Sequence, residues 1–153
     1  MNATGRDGAD DASREAGDLG PVRVQYDRSV PGVFVARIAG RGGDADAAAR
    51  RWRHLVESAR AGGKASLMVA RDLAGPVLTE GELAGMLARL SDLDLDGMRI
   101  ALVQPHLERQ HIDELGAQLA MDRGGMIRVF EDEASALIWL RHGHQDEASH
   151  GEP

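Results

Sequence analysis

Between about residues 21 and 141 the apolar positions change period several times, and each change marks a new element. Val22, Val24 and Tyr26 alternate with Arg23 and Gln25, the spacing of a half-exposed strand. Ser29-Val30-Pro31-Gly32 then supplies turn residues, and 33–39 follows as a second strand, so the pattern opens with a hairpin. Glycines at 40–43 break that strand, and Asp44 is suited to cap a helix. Ala48, Trp52, Leu55 and Ala59 recur down one face of it until Gly62-Gly63. Residues 65–70 are an apolar run too short for a helix, which predicts a strand covered on both faces.

A connection with a Gly-Pro break occupies 73–78. Thr79 opens the next helix, with Glu82 three residues on, the pair that makes a capping box. Leu83, Met86, Leu87 and Leu90 form its buried stripe. Residues 98–103 read as a strand, and Leu107, Ile112, Leu115 and Leu119 mark a helix ending at Gly124-Gly125. The last strand is 126–130. Glu131, Asp132 and Glu133 lead into a final helix, where acids favour the positive end of the dipole. Its apolar residues are Ala134, Leu137, Ile138 and Leu140, with Trp139 alongside. The order is ββαβαβαβα, an α/β single domain over 21–141 with a mostly parallel sheet and an N-terminal antiparallel hairpin.

Composition refines this picture at the ends. Residues 1–20 and 142–153 are poor in large apolar side chains, so burial cannot offset the entropy of ordering them. Both are expected to be disordered tails, the first acidic and the second rich in His and acid. They carry most of the net charge of −7, so that charge says little about a folded surface. The near-neutral body has one local basic excess, Arg50, Arg51, Arg53 and Arg60 on one helix, read as a solvated face. Nucleic acid is therefore not an expected partner. No apolar run reaches the ~18 residues of a membrane span, residues 1–20 lack the apolar stretch of a signal peptide, and there is no cysteine. A cytoplasmic protein is expected.

With this order the chain resembles the STAS-like, SpoIIAA-like domains of the bacterial anti-sigma-factor antagonists. The resemblance covers about 21–141 and rests on the element order, on Val69-Ala70-Arg71-Asp72 ending a strand before a loop and short helix, and on the closing string from Val129 to Leu140. That string is similar to the F-x-D-x-x-x-A-x-x-W-L ending of uncharacterised STAS-like bacterial proteins, some of them compared with the lipid-binding CRAL-TRIO fold. In the antagonists a serine inside Asp-Ser-Ser-Gly is phosphorylated by an anti-sigma kinase. The matching stretch here is Leu78-Thr79-Glu80-Gly81. Thr79 stands at the serine and Gly81 at the glycine, while Leu78 and Glu80 replace the aspartate and the second serine. The resemblance thus implies a non-catalytic protein-interaction or regulatory module without the usual phospho-serine switch, with Asp72, Thr79, Glu80 and Gly81 as its switch or partner surface. The alternative it implies is a carrier of a lipid or hydrophobic small molecule.

No catalytic constellation competes with this. Gly40-Arg41-Gly42-Gly43-Asp44-Ala45 fits G-x-G-x-x-A between a strand and a helix, with Asp72 ending the next strand, which would suit a nucleotide. Asp44 and Asp46, however, put negative charge where a pyrophosphate would sit, and Asp72 lies well beyond the usual ~20-residue separation. Glu108 and His111 share a helix face, but a di-iron site needs that motif twice. His142, His144 and His150 fall in the expected tail, and no serine lies in a G-x-S-x-G elbow. No cofactor, metal or catalytic residue is expected, and the identity of the protein partner is open.

Overall fold

The computed structural model describes residues 22–150, with side chains as far as His142. The expected tail at 1–20 lies outside the described residues. Strands β1 (Val22–Asp27) and β2 (Val33–Arg41) form the antiparallel hairpin. Helix α1 (Ala45–Ala61), β3 (Ser66–Ala74), α2 (Glu80–Arg89), β4 (Arg99–Val103), α3 (Leu107–Met121), β5 (Met126–Phe130) and α4 (Glu133–His150) follow in turn. The five strands lie in sequence order across one sheet, and every pair after the hairpin is parallel. This is the predicted ββαβαβαβα order. The boundary drawn at 141 falls inside α4, whose backbone continues to His150.

Burial on both sides explains the apolar runs in the middle strands. Phe34, Ile38, Leu67, Val69, Ile100 and Leu102 face one core, while Val33, Val35, Met68, Ala101 and Val103 face the other. Helix α4 covers the second face with Ala136, Trp139 and Leu140. Arg37 of β2 fastens its start, its Nη2 and Nε donating to the Glu133 carboxylate at 2.7 and 3.0 Å. That guanidinium holds the Glu133 carboxyl below its ordinary range. Ala134 is exposed and Ile138 is 61% exposed, so part of the apolar set named for this helix faces away from the sheet. Residues 136, 139 and 140 are one helical face, and the sheet takes that one.

Helices α1, α2 and α3 cover the first face. Helix α1 starts where expected, with the Asp44 carboxylate accepting from the Ala47 amide at 2.9 Å. On α3 the four apolar residues that marked the helix divide: Ile112 and Leu115 pack against the α2 cluster, while Leu107 is 69% exposed and Leu119 is exposed too. The buried positions are Asp113, Ala117 and Ala120, spaced i, i+4 and i+7. A small-residue face lets two helices approach closely, and the absent Cβ of Gly116 would lie 3.3 Å from Leu83 of α2. Strand β3 also outruns its prediction, to Ala74 rather than Ala70.

Core packing on the sheet should therefore outweigh the apolar character of the helix exteriors. Leu67→Ala, at a fully buried strand position, is expected to cost about 2–5 kcal/mol in a urea titration. Ile138→Ala should change stability by less than about 0.5 kcal/mol, despite removing a similar apolar side chain.

Candidate functional site

The four extra residues of β3 create the site. Strand β4 ends at Val103, opposite Ala70, so Arg71–Ala74 pair with β2 on one side and have no β4 partner on the other. Gln104-Pro105 stops β4 because proline has no N–H to continue a ladder. Alternation turns Arg71 and Leu73 toward α1 and α3, where both line a cavity of about 140 Å³. Helix α2 packs on α1 and α3 more than on any strand, so it roofs this space rather than filling it. Leu83, Met86, Leu87 and Leu90 form the roof, and Ile100 and Leu102 the floor. The exposed Gly43, Pro76 and Val77 also line it, which sets its mouth between the β2–α1 turn and the β3–α2 loop.

Polar groups gather in this otherwise apolar space. Arg51, Gln104 and Asp113 are the buried polar side chains among the described residues, at 6, 3 and 8% exposure, and all three line the cavity. The Asp113 carboxylate accepts from Arg71 Nη2 through Oδ1 and from Gln104 Nε2 through Oδ2, the latter at 3.3 Å. Gln104 is held in turn, its Oε1 accepting from the His106 amide at 3.2 Å. Burial, then the charges of Arg71 and Arg50, push the Arg51 guanidinium down to about 10, with Asp44 opposing. Two arginines tie the walls together. Arg109 donates to the Gly75 carbonyl, and Arg123 to the Leu87 carbonyl at 2.6 Å near the end of α2.

The expected switch residues lie elsewhere. Asp72 points to the opposite face of the sheet, in a groove with Arg23, Arg37 and Glu133, its Oδ1 3.4 Å from His106 Nε2. Thr79, Glu80 and Gly81 are exposed at the start of α2. There the capping box forms: Thr79 Oγ1 accepts from the Glu82 amide at 3.1 Å, and the Thr79 amide donates to Glu82 Oε1 at 2.9 Å. The two parts of the expected surface thus belong to different layers. At the glycine-rich turn, Gly40 and Arg41 are still strand and the Asp44 carboxylate caps the start of α1, accepting from the Ala47 amide.

The basic helix face needs a correction. Arg51 is buried rather than solvated, and Arg53 and Arg60 reach across to the segment after α2. Arg53 pairs with Asp92 at 2.7 Å, and Arg60 donates to the carbonyls of Asp94 and Asp96 at 2.8 and 3.0 Å. His54 lies against β1, with Tyr26 Oη 2.8 Å from its Nε2. Among the described residues no three His, Asp or Glu side chains are grouped to hold a metal ion, and no helix is long and apolar enough to cross a membrane. Arg51 carried a signal of burial, since it sits between Ala48 and Leu55 on the apolar face of α1. Asp113 carried a signal too, four residues before Ala117 on the small face of α3.

No family model matches the chain, and no curated protein matches it in sequence. Among solved structures it is similar to an uncharacterised protein of the DUF3478 family with a SpoIIAA-like fold from Shewanella loihica PV-4. The two share 20% identity over 78% of this chain and 93% of that one, with a TM-score of 0.49.

The buried pair gives a stability test. Asp113→Ala strands Arg71 and should cost about 3–5 kcal/mol in denaturant titration, whereas Arg71→Met combined with Asp113→Leu should stay close to the parent. Thr79→Ala should cost about 1 kcal/mol through the lost cap. A loss well below that would mean the cap contributes little to holding α2.

Proposed function

We propose that this chain is a non-catalytic, cytoplasmic, STAS-like module that binds a small hydrophobic molecule between its sheet and α1–α3. The cavity is the observation that carries this reading. Protein interiors leave few voids larger than a water molecule, and the walls of an empty apolar void forgo the dispersion contacts a packed core would have. A space of this size, walled by leucine, isoleucine and methionine with polar groups at one end, has the make-up of a small-molecule site. Methionine suits that wall because its flexible thioether adapts to the occupant.

A protein partner is the second reading, favoured by the position of Thr79, Glu80 and Gly81. They are exposed on the helix that roofs the cavity. An occupant that moves α2 would change the surface these residues present, so one chain could both bind and report. In this reading Thr79 acts as a cap and the chain dispenses with phosphorylation.

The test is titration with two six-carbon probes, 1-hexanol and hexanoate, followed by amide NMR shifts. At least one should bind saturably and shift amides of α2 and α3. Leu87→Trp, which puts an indole into the space from the roof, should weaken that binding about tenfold or more. If neither probe moves a cavity-lining amide, the small-molecule reading fails.

A further inference from the structure

The cavity meets solvent between two short backbone segments. One is the turn at Gly42 and Gly43, and the other is 75–78, which leads from the end of β3 to the cap of α2. The two are drawn together at their base, where the Gly42 amide donates to the Ala74 carbonyl at 3.2 Å. Beyond that point 75–78 has left the sheet. Pro76 has no N–H to offer a new partner, and Pro76 and Val77 are exposed although both line the cavity. The polar contact that holds this segment down comes from α3. Arg109, in the first turn of that helix, donates through Nη2 to the Gly75 carbonyl. Gly75 itself sits at φ +91°, a conformation that glycine adopts freely and other residues rarely do. The Arg41 guanidinium lies against it, and a Cβ there would be 3.3 Å from Arg41 Nη2.

Resting on the small-molecule reading above, we propose that 75–78 is the gate of the cavity and Arg109 its latch. Two ways of opening the space can be compared. Lifting α2 would bring Leu83, Met86 and the following Leu90, all buried, into water together, and would break the bond from Arg123 to the Leu87 carbonyl. Swinging 75–78 gives up one polar contact and moves side chains that already meet solvent. The second is the smaller cost, because exposing even one large apolar side chain is comparable to losing a hydrogen bond to a charged group. Gly75 supplies the pivot at one end. The Thr79–Glu82 capping box fixes the other, so the motion stops at the start of α2. Short exposed segments with few buried contacts are the ones that open locally in native proteins, and a loop that covers a site governs entry and release.

Such a gate marks the kinetics of binding and spares its affinity. Opening comes before both entry and exit, so a change that makes opening easier quickens the two steps equally. Their ratio, the dissociation constant, holds as long as the closed form predominates.

NMR exchange measurements on the full chain, with 1-hexanol and hexanoate as probes, test this. In Arg109→Met a bound probe should enter and leave about tenfold faster or more, the scale of one hydrogen bond to a charged group. The Kd of 1-hexanol should stay within about twofold of the parent value. Arg109→Lys, which keeps a cationic donor at the same place, should fall between the two. The Leu67 and Val69 amides of β3 should keep their parental protection from hydrogen exchange, which separates an opened gate from a loosened fold. Unchanged entry and exit rates in Arg109→Met would overturn the gate and leave the pocket standing. Faster exit with unchanged entry would overturn it too, because Arg109 would then be a ligand contact. If neither probe binds, gate and pocket fall together.

Discussion

The Arg71–Asp113 ion pair is the contact on which the arrangement of this face depends. It joins the free end of β3 to the middle of α3, and it does so in a place where water is largely excluded. A buried charge pair of this kind adds little net stability compared with apolar residues, yet removing one member is strongly unfavourable. The pair therefore acts mainly as a constraint. It holds α3 with its small face inward, so that Ala117 and Ala120 rather than Leu107 and Leu119 meet the core. Gln104, fixed between Asp113 and the His106 amide, extends the constraint to the end of β4.

The two faces of the sheet are built differently as a result. On one, α4 lies directly over β3, β4 and β5 and fills the space with Trp139 and Leu140. On the other, α1 and α3 reach the core while α2 rides on them. This helix of ten residues is carried by its neighbours rather than by a strand, and the apolar stripe it turns inward borders the cavity. Its ends are secured instead by local chemistry. The Thr79–Glu82 capping box holds the start, and Arg123 holds the Leu87 carbonyl near the end. An element anchored at both ends and standing away from the sheet is well placed to roof a binding site, because an occupant gains contacts with its apolar stripe.

Much of the fold was legible because its signals are local. Turn residues, glycines after strands, caps and short apolar runs all act within a few positions of themselves, and β5 and the start of α1 fell where those signals put them. What periodicity left open was which way each helix turns: Leu107, Leu119 and Ile138 mark their helices yet face outward, and Arg51, read as solvated, is buried. Close approach of α2 and α3 needed small residues at the contact, so the larger ones were turned outward. Arg51 is buried along with Ala48 and Leu55, which lie three residues before and four after it on the same helix face.

The candidate site shows where sequence stops. By itself the chain determined an α/β domain with an opening hairpin, a capped helix after the third strand and departures from the Asp-Ser-Ser-Gly pattern around Thr79. Those follow from period, turn chemistry and residue identity. Only the tertiary structure decided that Arg51, Arg71, Gln104 and Asp113, contributed by a helix, a strand end, a loop and a second helix, share one space. Their meeting depends on β3 outrunning β4 by four residues and on α2 standing away from the sheet. Both are relations between segments far apart in the chain, set by how whole elements pack.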